Sequence, residues 1–455
     1  MRDRFFRPAC FALLCAACAS TNVDPCADND RARTLIREST GQPEVFDPQA
    51  PLLSQEQIDA VLAGGLGLDE ALRLALLNSR RLQAGFSEIG VARADFVQAG
   101  LLQNPSLGLG FLIPARGGAP KITADLARSL IDRWQLPARQ QVAQSELEQR
   151  ILEVSRFAGE LVVETKQAYL ESVAARDRLA AARENVGVAQ AAFDAVRHRV
   201  EGGVATALEQ SLAQSQALTA ELALRSAERE SFGSRRRLAA LLSLDGDLMS
   251  VELTDALPGP GAGEPDREAL VARARSTRLD LRAAEAAVAV AESQVALEHR
   301  RAYPDVEVGL FFEKPERGDW DDHVFGPGAN VELPIFDDNG AQVRRAEFRR
   351  DQLKREYEAL AAEISQDVRA TVDRASSAAR AARFVTDELL PQAERSFELA
   401  RTSYDLGDTT LLALLESQRA VLQARSTRIE ALLEAARTRV DLERAAGASV
   451  EVLGK

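Results

Sequence analysis

The feature that most constrains this fold is a helical turn that occurs twice in the chain. The stretch FDAVRHRVEGGVATALEQSLAQ, residues 193–214, aligns without a gap on FELARTSYDLGDTTLLALLESQ, residues 397–418. The alignment places Gly203 on Gly407. A glycine between two helices adopts the positive φ that other residues avoid. The sequence therefore predicts two similar helical hairpins in one chain, each with a glycine at its tip.

Long helices are predicted on both sides of each turn. No proline occurs from residue 138 to residue 257. Before each turn, apolar residues are spaced alternately three and four apart, which is typical of helices packed in a coiled coil. These positions are Leu179, Ala182, Val186, Ala189, Phe193, Val196 and Val200 in the first copy, and Leu390, Ala393, Phe397, Ala400 and Tyr404 in the second. A helix over residues 140–200 would be on the order of 90 Å long.

A shorter helix and a pair of predicted strands precede each hairpin. In SLGLGFLI and ITADLARSLI, and again in DVEVGLFFE and GANVELPIF, apolar residues alternate with polar or small ones. Such alternation predicts strands with one apolar face. The polar positions include Thr123, Asp125, Glu307, Asn330 and Glu332. The helix before the first strand pair is predicted to begin near residue 68, with Asp69 as its cap.

The chain is thus predicted to be a tandem duplication, each copy being a helix, a β-hairpin and a long helical hairpin. The alignment of the two copies changes its offset only between the two strands, where the second copy has the longer loop KPERGDWDDHVFGP. The predicted boundaries are 1–17 for a signal peptide, 18–66 for an extended N-terminal segment with little core of its own, 67–255 for the first repeat, 256–265 for a linker, 266–449 for the second repeat and 450–455 for a tail.

The N-terminus has the features of a secretory signal, with three arginines, a short apolar run and then small residues. All four cysteines lie within the first 26 residues, so the remaining chain holds no disulfide. The sequence LLCAAC resembles a bacterial lipoprotein signal, which predicts lipidation of Cys18. Ordinary cleavage between residues 17 and 20 is the alternative. Ser20, the second residue after Cys18, favours the outer membrane as the destination.

Composition excludes several functions. The net charge of −13 disfavours nucleic acid as a partner. No nucleophile and base pair, phosphate loop or zinc-protease motif occurs, so neither an enzyme nor a cofactor is expected. The three histidines, His198, His299 and His323, are scattered and predict no metal site.

The alternating strands are typical of a membrane barrel with lipid outside and water inside. Strands of about ten residues suffice to cross a bilayer when tilted. Closing such a barrel requires more strands than this chain supplies, so several subunits would share it. A small soluble sheet that caps a helical bundle is the alternative.

The segments LLPQAERSFELARTSYDLGDTTLLALLESQRAVLQAR and VELPIFDDNGAQVRRAE, together with the duplicated unit, resemble the TolC-type outer membrane efflux family over almost the whole mature chain. The forms LPIFDDNG and LLPQAE are most similar to the branch that serves heavy-metal efflux pumps. The resemblance implies a mainly α fold with a small β part. In it, a homotrimer shares a 12-stranded β-barrel in the outer membrane, with four strands per chain, continued by a long α-helical barrel in the periplasm.

The resemblance also implies a function. The trimer would be a passive gated duct that docks on a periplasmic adaptor protein and an inner-membrane pump, and that exports small substrates such as metal cations or drugs. Two other classes compete with this interpretation. A periplasmic adaptor would have one hairpin between β-rich halves, and a coiled-coil scaffold would leave the signal and the strands unexplained.

The resemblance further implies roles for residues at the two turns. Glu209 and Glu416 match acids that line the periplasmic constriction and attract cations, although a solvated helix face is the alternative. Ala413 replaces a further acid, Thr409 stands where some members have a latch arginine, and Tyr404 matches the latch tyrosine. The predicted tip and adaptor-docking residues are Gly202, Gly203, Thr206, Tyr404, Asp405, Gly407, Asp408 and Thr410. For the glycines and the aspartates, a purely local role in reversing the chain is the alternative.

Overall fold

The computed structural model describes residues 22–113, 115, 120–246, 248–261, 266–315 and 323–447, and only the backbone of Asp405. The predicted signal peptide, Cys18 and the predicted tail lie outside these residues, and the predicted linker lies partly outside them. Lipidation and cleavage therefore stay predictions.

Helices dominate the fold, and the elements follow the same order in both halves of the chain. Two helices come first, α1 (Cys26–Thr40) and α2 (Gln55–Ala63). The first repeat contains α3 (Leu68–Asn78), α4 (Arg80–Ala99), β1 (Ser106–Leu112), β2 (Lys121–Ser129), α5 (Ile131–Glu201) and α6 (Ala207–Leu241), followed by a 3-10 turn at Leu248–Ser250. The second contains α7 (Arg267–Thr277), α8 (Leu279–Arg301), β3 (Val306–Lys314), β4 (Val324–Val331), α9 (Gly340–Phe384), a π-helical segment (Val385–Leu389), α10 (Leu390–Asp405) and α11 (Leu411–Ala446). The predicted mainly helical fold with a small β part is confirmed.

The N-terminal segment differs from its prediction. It contains helices α1 and α2, and Ala32 and Ile36 of α1 are fully buried. The prediction of an extended segment with little core is therefore wrong for these residues. The physical reason is the position of the prolines, because Pro25 precedes α1 and Pro43 follows it. Proline is tolerated at a helix end, so here it marks helix boundaries rather than absence of a helix.

Helix α3 begins without the predicted cap. Its N-cap is Gly67, which has no side chain, and Asp69 lies within the first turn. The Leu68 amide instead donates to Oδ2 of Asp255, at 2.7 Å. Asp255 lies 187 residues further along the chain. A local sequence pattern cannot indicate such a partner.

The two copies also break their first helix at the same place. Ser79 separates α3 from α4 with ψ 113°, and Arg278 separates α7 from α8 with ψ 124°. In both copies the leucine three residues later, Leu82 or Leu281, is buried. The duplication inferred from the sequence thus extends to a non-helical residue within the helix.

The described residues divide into two compact units. One contains residues 22–30, 86–151 and 283–357, and the other contains residues 31–85, 152–282 and 358–447. The first unit holds a four-stranded antiparallel sheet in the order β1-β2-β3-β4. Residues 324–327, predicted to lie in the loop, belong to β4 because Phe325 and Pro327 continue its alternation.

The second unit is helical, and its core contains many small residues. In one cluster, Leu170 and Ala174 of α5 pack against Leu433, Ala436 and Val440 of α11. Small side chains let helices of this kind approach closely along a regular seam.

A buried tyrosine ties three distant segments of the second unit together. Tyr169 on α5 is 1% exposed, and the single proton of its hydroxyl is shared between two acceptors, the Leu66 carbonyl oxygen at 2.9 Å and Oδ2 of Asp255 at 2.8 Å. Leu66 forms a parallel β-bridge with Leu253. Burial, and then the bond to Asp255, raise the pKa of Tyr169 well above its usual value. The hydroxyl is therefore a permanent donor that joins the N-terminal segment to the end of the first repeat.

We expect Tyr169→Phe to weaken this junction by about 0.5–1.5 kcal/mol, because the hydrogen bonds of the hydroxyl are lost while the Leu66 carbonyl still accepts from the Thr254 amide. Hydrogen exchange at the amides of Leu66 and Leu68 should accelerate accordingly. Tyr303→Phe is a matched control, since Tyr303 is 60% exposed and the change should stay within about 0.5 kcal/mol. Equal exchange rates in the two variants would contradict the structural role of the Tyr169 hydroxyl.

Candidate functional site

The tips of the two long helical hairpins have the same backbone. Gly203 and Gly407 adopt the expected positive φ, 74° and 83°. The Gly203 amide donates to the Val200 carbonyl at 2.9 Å, and the Gly407 amide to the Tyr404 carbonyl at 3.0 Å. The next amide closes each turn at 2.8 Å, from Val204 to the Arg199 carbonyl and from Asp408 to the Ser403 carbonyl. The equivalence of the two turns predicted from the sequence is thus present bond by bond.

The first tip is closed by a capping box. Oγ1 of Thr206, the N-cap of α6, accepts from the Glu209 amide at 3.2 Å. In return, Oε2 of Glu209 accepts from the Thr206 amide at 2.7 Å. These bonds lower the pKa of Glu209, the backbone bond most strongly. Glu209 thus has a structural role at the tip and keeps its charge to a lower pH than an ordinary glutamate.

The second tip has only half of this arrangement. Thr410 is the N-cap of α11, and its Oγ1 accepts from the Ala413 amide at 3.3 Å. Alanine has no side-chain acceptor, so the reciprocal bond is missing. The difference between Glu209 and Ala413, visible in the sequence, therefore has a direct structural consequence.

The two hairpins pack against each other just above their tips. A buried cluster joins Val196 of α5 and Ala213 of α6 to Leu411 and Leu415 of α11. Tyr404 of α10 packs on this cluster. Its seam position, predicted from the heptad spacing, thus contributes to packing between hairpins.

An arginine that the sequence did not single out joins the two tips. The Arg199 guanidinium carbon lies 5.3 Å from the centre of the Tyr404 ring, and its Nη1 donates to the Tyr404 hydroxyl. A cation over an aromatic ring is an attractive contact. Arg199 comes from the first hairpin, whereas the arginine implied by the family resemblance would have occupied the position of Thr409 in the second.

The remaining predicted residues lie close to these tips. Glu416 is on α11, and its Oε1 lies 3.4 Å from Nη1 of Arg419. Gly202 donates its amide to the His198 carbonyl at 3.0 Å, in the last turn of the first arm. Asp405 ends α10. All predicted tip residues thus belong to one region of the second unit.

Exposed apolar residues at the tips were also missed by sequence reasoning. Leu208 and Leu412 occupy equivalent positions in the two turns and are 68% and 57% exposed. Val204 and Leu406 are likewise exposed. The equivalence of Leu208 and Leu412 across the two copies is the signal that could have identified that pair.

The sheet of the first unit has two different faces. The register pairs Leu109 with Ala124, Ala124 with Phe312 and Phe312 with Phe325. Directly paired residues share a face, so this row lies on one side. Exposed apolar side chains on this side include Leu107, Leu109, Phe111, Leu126, Leu310 and Phe325.

The opposite face carries small and polar residues. Gly108 pairs with Asp125, Gly110 with Thr123, and Glu307 with Asn330. The predicted separation into an apolar and a polar face holds for most of the sheet. Arg128 and Lys314 lie on the apolar side, and Leu112, Phe311 and Val324 lie on the polar side. Glu332 lies just beyond β4.

Two other features are absent from the described residues. None of their helices is both long enough and apolar enough to cross a membrane. They also contain no group of three or more histidine, cysteine or acidic side chains arranged to hold a metal ion.

The chain combines paired helical hairpins with glycine tips and a sheet with an exposed apolar face, a combination that is typical of a membrane channel subunit. The profile of the outer membrane efflux protein family matches residues 71–244 and 270–448. The chain belongs to this family.

Individual relatives agree with this assignment. The cobalt-zinc-cadmium resistance protein CzcC of Cupriavidus metallidurans is 25% identical, over 80% of this chain and 85% of its own. The pyoverdine export outer membrane protein OpmQ of Pseudomonas aeruginosa is 28% identical, over 84% and 85%. The crystal structure of CusC superposes with a TM-score of 0.70 at 16% identity, over 90% and 97% of the two chains.

Membership in this family establishes the general function. The protein is an outer membrane efflux channel, which conducts substrates passively and is not an enzyme. The predicted outer membrane location and transport role are thereby confirmed.

Proposed function

We propose that three copies of this chain form one closed β-barrel in the outer membrane and one helical duct in the periplasm. The observation that carries the proposal is the four-stranded sheet with an exposed apolar face. That face would contact lipid, and the face with Asp125 and Thr123 would line the aqueous lumen.

The two edge strands of the sheet support a barrel that is shared between subunits. Within the part of the chain that the structure describes, β1 pairs with β2 alone and β4 with β3 alone. Unpaired backbone groups are too costly in lipid for an open edge to persist there. Joining β1 of one subunit to β4 of the next satisfies both edges, and four strands from each of three chains close a barrel of twelve.

The paired hairpin tips would form the periplasmic mouth. Exposed Leu208 and Leu412, with the glycine turns between helices, offer an apolar surface on which another protein can dock. We assign this surface to a periplasmic adaptor protein, through which the channel would work with an inner-membrane pump. The predicted docking residues Gly202, Gly203, Asp405, Gly407 and Asp408 lie beside these leucines in the sequence.

The contact between Arg199 and Tyr404 would hold the mouth closed. It joins the first hairpin to the second. Opening the mouth requires the hairpins to separate, which breaks this contact and exposes the cluster around Leu411 and Leu415. Thr206 and Thr410 would keep each turn intact while the hairpins move, because their caps act within one hairpin.

Glu209 and Glu416 would make this mouth selective for cations. Both are placed near the tips, and a narrow passage lined by acids attracts cations and repels anions. The capping box fixes Glu209 without neutralising it. Its charge would therefore persist as the pH falls below the usual pKa of glutamate.

We expect Glu209→Gln combined with Glu416→Gln to lower the cation-to-anion permeability ratio by about twofold or more in planar bilayers. The glutamine oxygen at position 209 still accepts from the Thr206 amide, so the capping box survives. A loss of selectivity would then report charge alone. Glu228→Gln, an exposed residue further along α6, should leave the ratio unchanged. An unchanged ratio in the double variant would place both acids away from the constriction.

Metal cations are the substrate class that we propose. The similarity to a cobalt-zinc-cadmium resistance protein and the net charge of −13 support this class. A deletion strain should become sensitive to cobalt, zinc and cadmium salts, and the intact gene should restore resistance. Sensitivity to hydrophobic drugs alone would contradict a metal substrate without contradicting the channel.

A further inference from the structure

One aromatic residue interrupts the polar face of the sheet. Phe311 on β3 pairs with Asp125 on β2 and with Gly326 on β4. These pairs place it on the face of glycines and polar residues, whereas its neighbour Phe312 belongs to the apolar face. Phe311 is 47% exposed. Strand alternation alone does not explain an exposed aromatic ring at this position.

Glycines leave space for this ring. A Cβ atom at Gly328 would overlap the ring of Phe311, so the ring leans across β4 over that glycine. A Cβ atom at Gly108 would likewise overlap the carboxylate of Asp125, which therefore leans across β1. The two side chains extend from the same face but lean apart, Asp125 towards β1 and Phe311 towards β4. A ligand that contacts both must therefore be bulky enough to lie between them.

This face is acidic. Its described strand residues include Asp125, Glu307 and Glu313, and the single base among them is Lys121. Nζ of Lys121 lies 2.8 Å from Oε1 of Glu313 and so compensates that carboxylate. The surroundings of Phe311 thus favour a positively charged ligand.

We propose that Phe311 and Asp125 form a binding site for organic cations on the inner wall of the barrel. The cation would lie over the exposed aromatic ring, which attracts it electrostatically, and Asp125 would supply the opposite charge. Weakly hydrated quaternary ammonium groups suit such a ring. The site rests on the proposed function, because it requires the polar face to line the lumen, and threefold symmetry would then repeat it around the wall.

The test measures how tetrabutylammonium, added from the barrel side, reduces single-channel conductance in planar bilayers. We expect Phe311→Leu to weaken its apparent affinity about two- to fivefold, because leucine still covers Gly328 but lacks the aromatic face. Phe311→Trp should bind at least as well as the unsubstituted protein. Phe312→Leu, one residue away on the apolar face, should leave the affinity unchanged.

Two further variants separate the contribution of the Asp125 charge from that of the Phe311 ring position. Asp125→Asn should also weaken binding, and the weakening should shrink as the salt concentration rises. Gly328→Ala should weaken binding by displacing the ring, although Phe311 itself is retained. If the Phe311→Leu channel and the unsubstituted channel bind tetrabutylammonium with equal affinity, the proposed site is wrong and Phe311 only packs over Gly328. The same block is measured in an Arg199→Ala background, which removes the contact proposed to close the mouth. Absence of any conductance in that background as well would overturn the pore itself, and the site with it.

Discussion

The edges of one small sheet constrain the whole molecule. A four-stranded sheet with an exposed apolar face is unfavourable in water, and its two unpaired edges are unfavourable in lipid. Both problems are solved together when subunits pair edge to edge, because closure leaves no edge and turns the apolar face towards the membrane. The proposed lumen, the proposed ring of acids at the mouth and the proposed site at Phe311 all depend on that closure.

Duplication explains why the chain contains two similar helical hairpins. The differences between the two copies explain why their tips are not equivalent. Both turns use a glycine with positive φ, a threonine N-cap and the same backbone bonds. The first copy alone completes a capping box, through Glu209. The contact between the copies is also unsymmetrical, since Arg199 of the first hairpin holds Tyr404 of the second. The gate that we propose could therefore open by separation of the two hairpins at this one contact while each turn stays folded.

Regular patterns made much of this fold predictable. Period-two alternation identified all four strands, and the heptad seam and the glycines identified both hairpins, because each pattern is repeated locally along the chain. Helix α1 was missed because the prolines at its two ends resemble those of a loop. The long-range contacts were missed for another reason. Asp255 at the start of α3 and Arg199 on Tyr404 are partners that only the folded chain brings together.

The two faces of the sheet were predictable, whereas the environment of Phe311 was not. Its position on the polar face follows from counting along β3. The position of its ring over Gly328 depends on how β3 pairs with β4 and on the direction in which the side chain leans. Neither the pairing nor the direction can be read from a single sequence.

Covalent joining of the sheet edges tests the central claim most directly. One cysteine in β1, at Leu107 or Leu109, is combined with one in β4, at Phe325 or Ala329, in a chain whose Cys26 is replaced by serine. Adjacent strands bring paired residues within reach of a disulfide. Edge-to-edge closure by three subunits predicts that oxidation of at least one combination yields a covalent trimer under denaturing, non-reducing conditions. Conducting channels in which every combination remains monomeric after oxidation would contradict it.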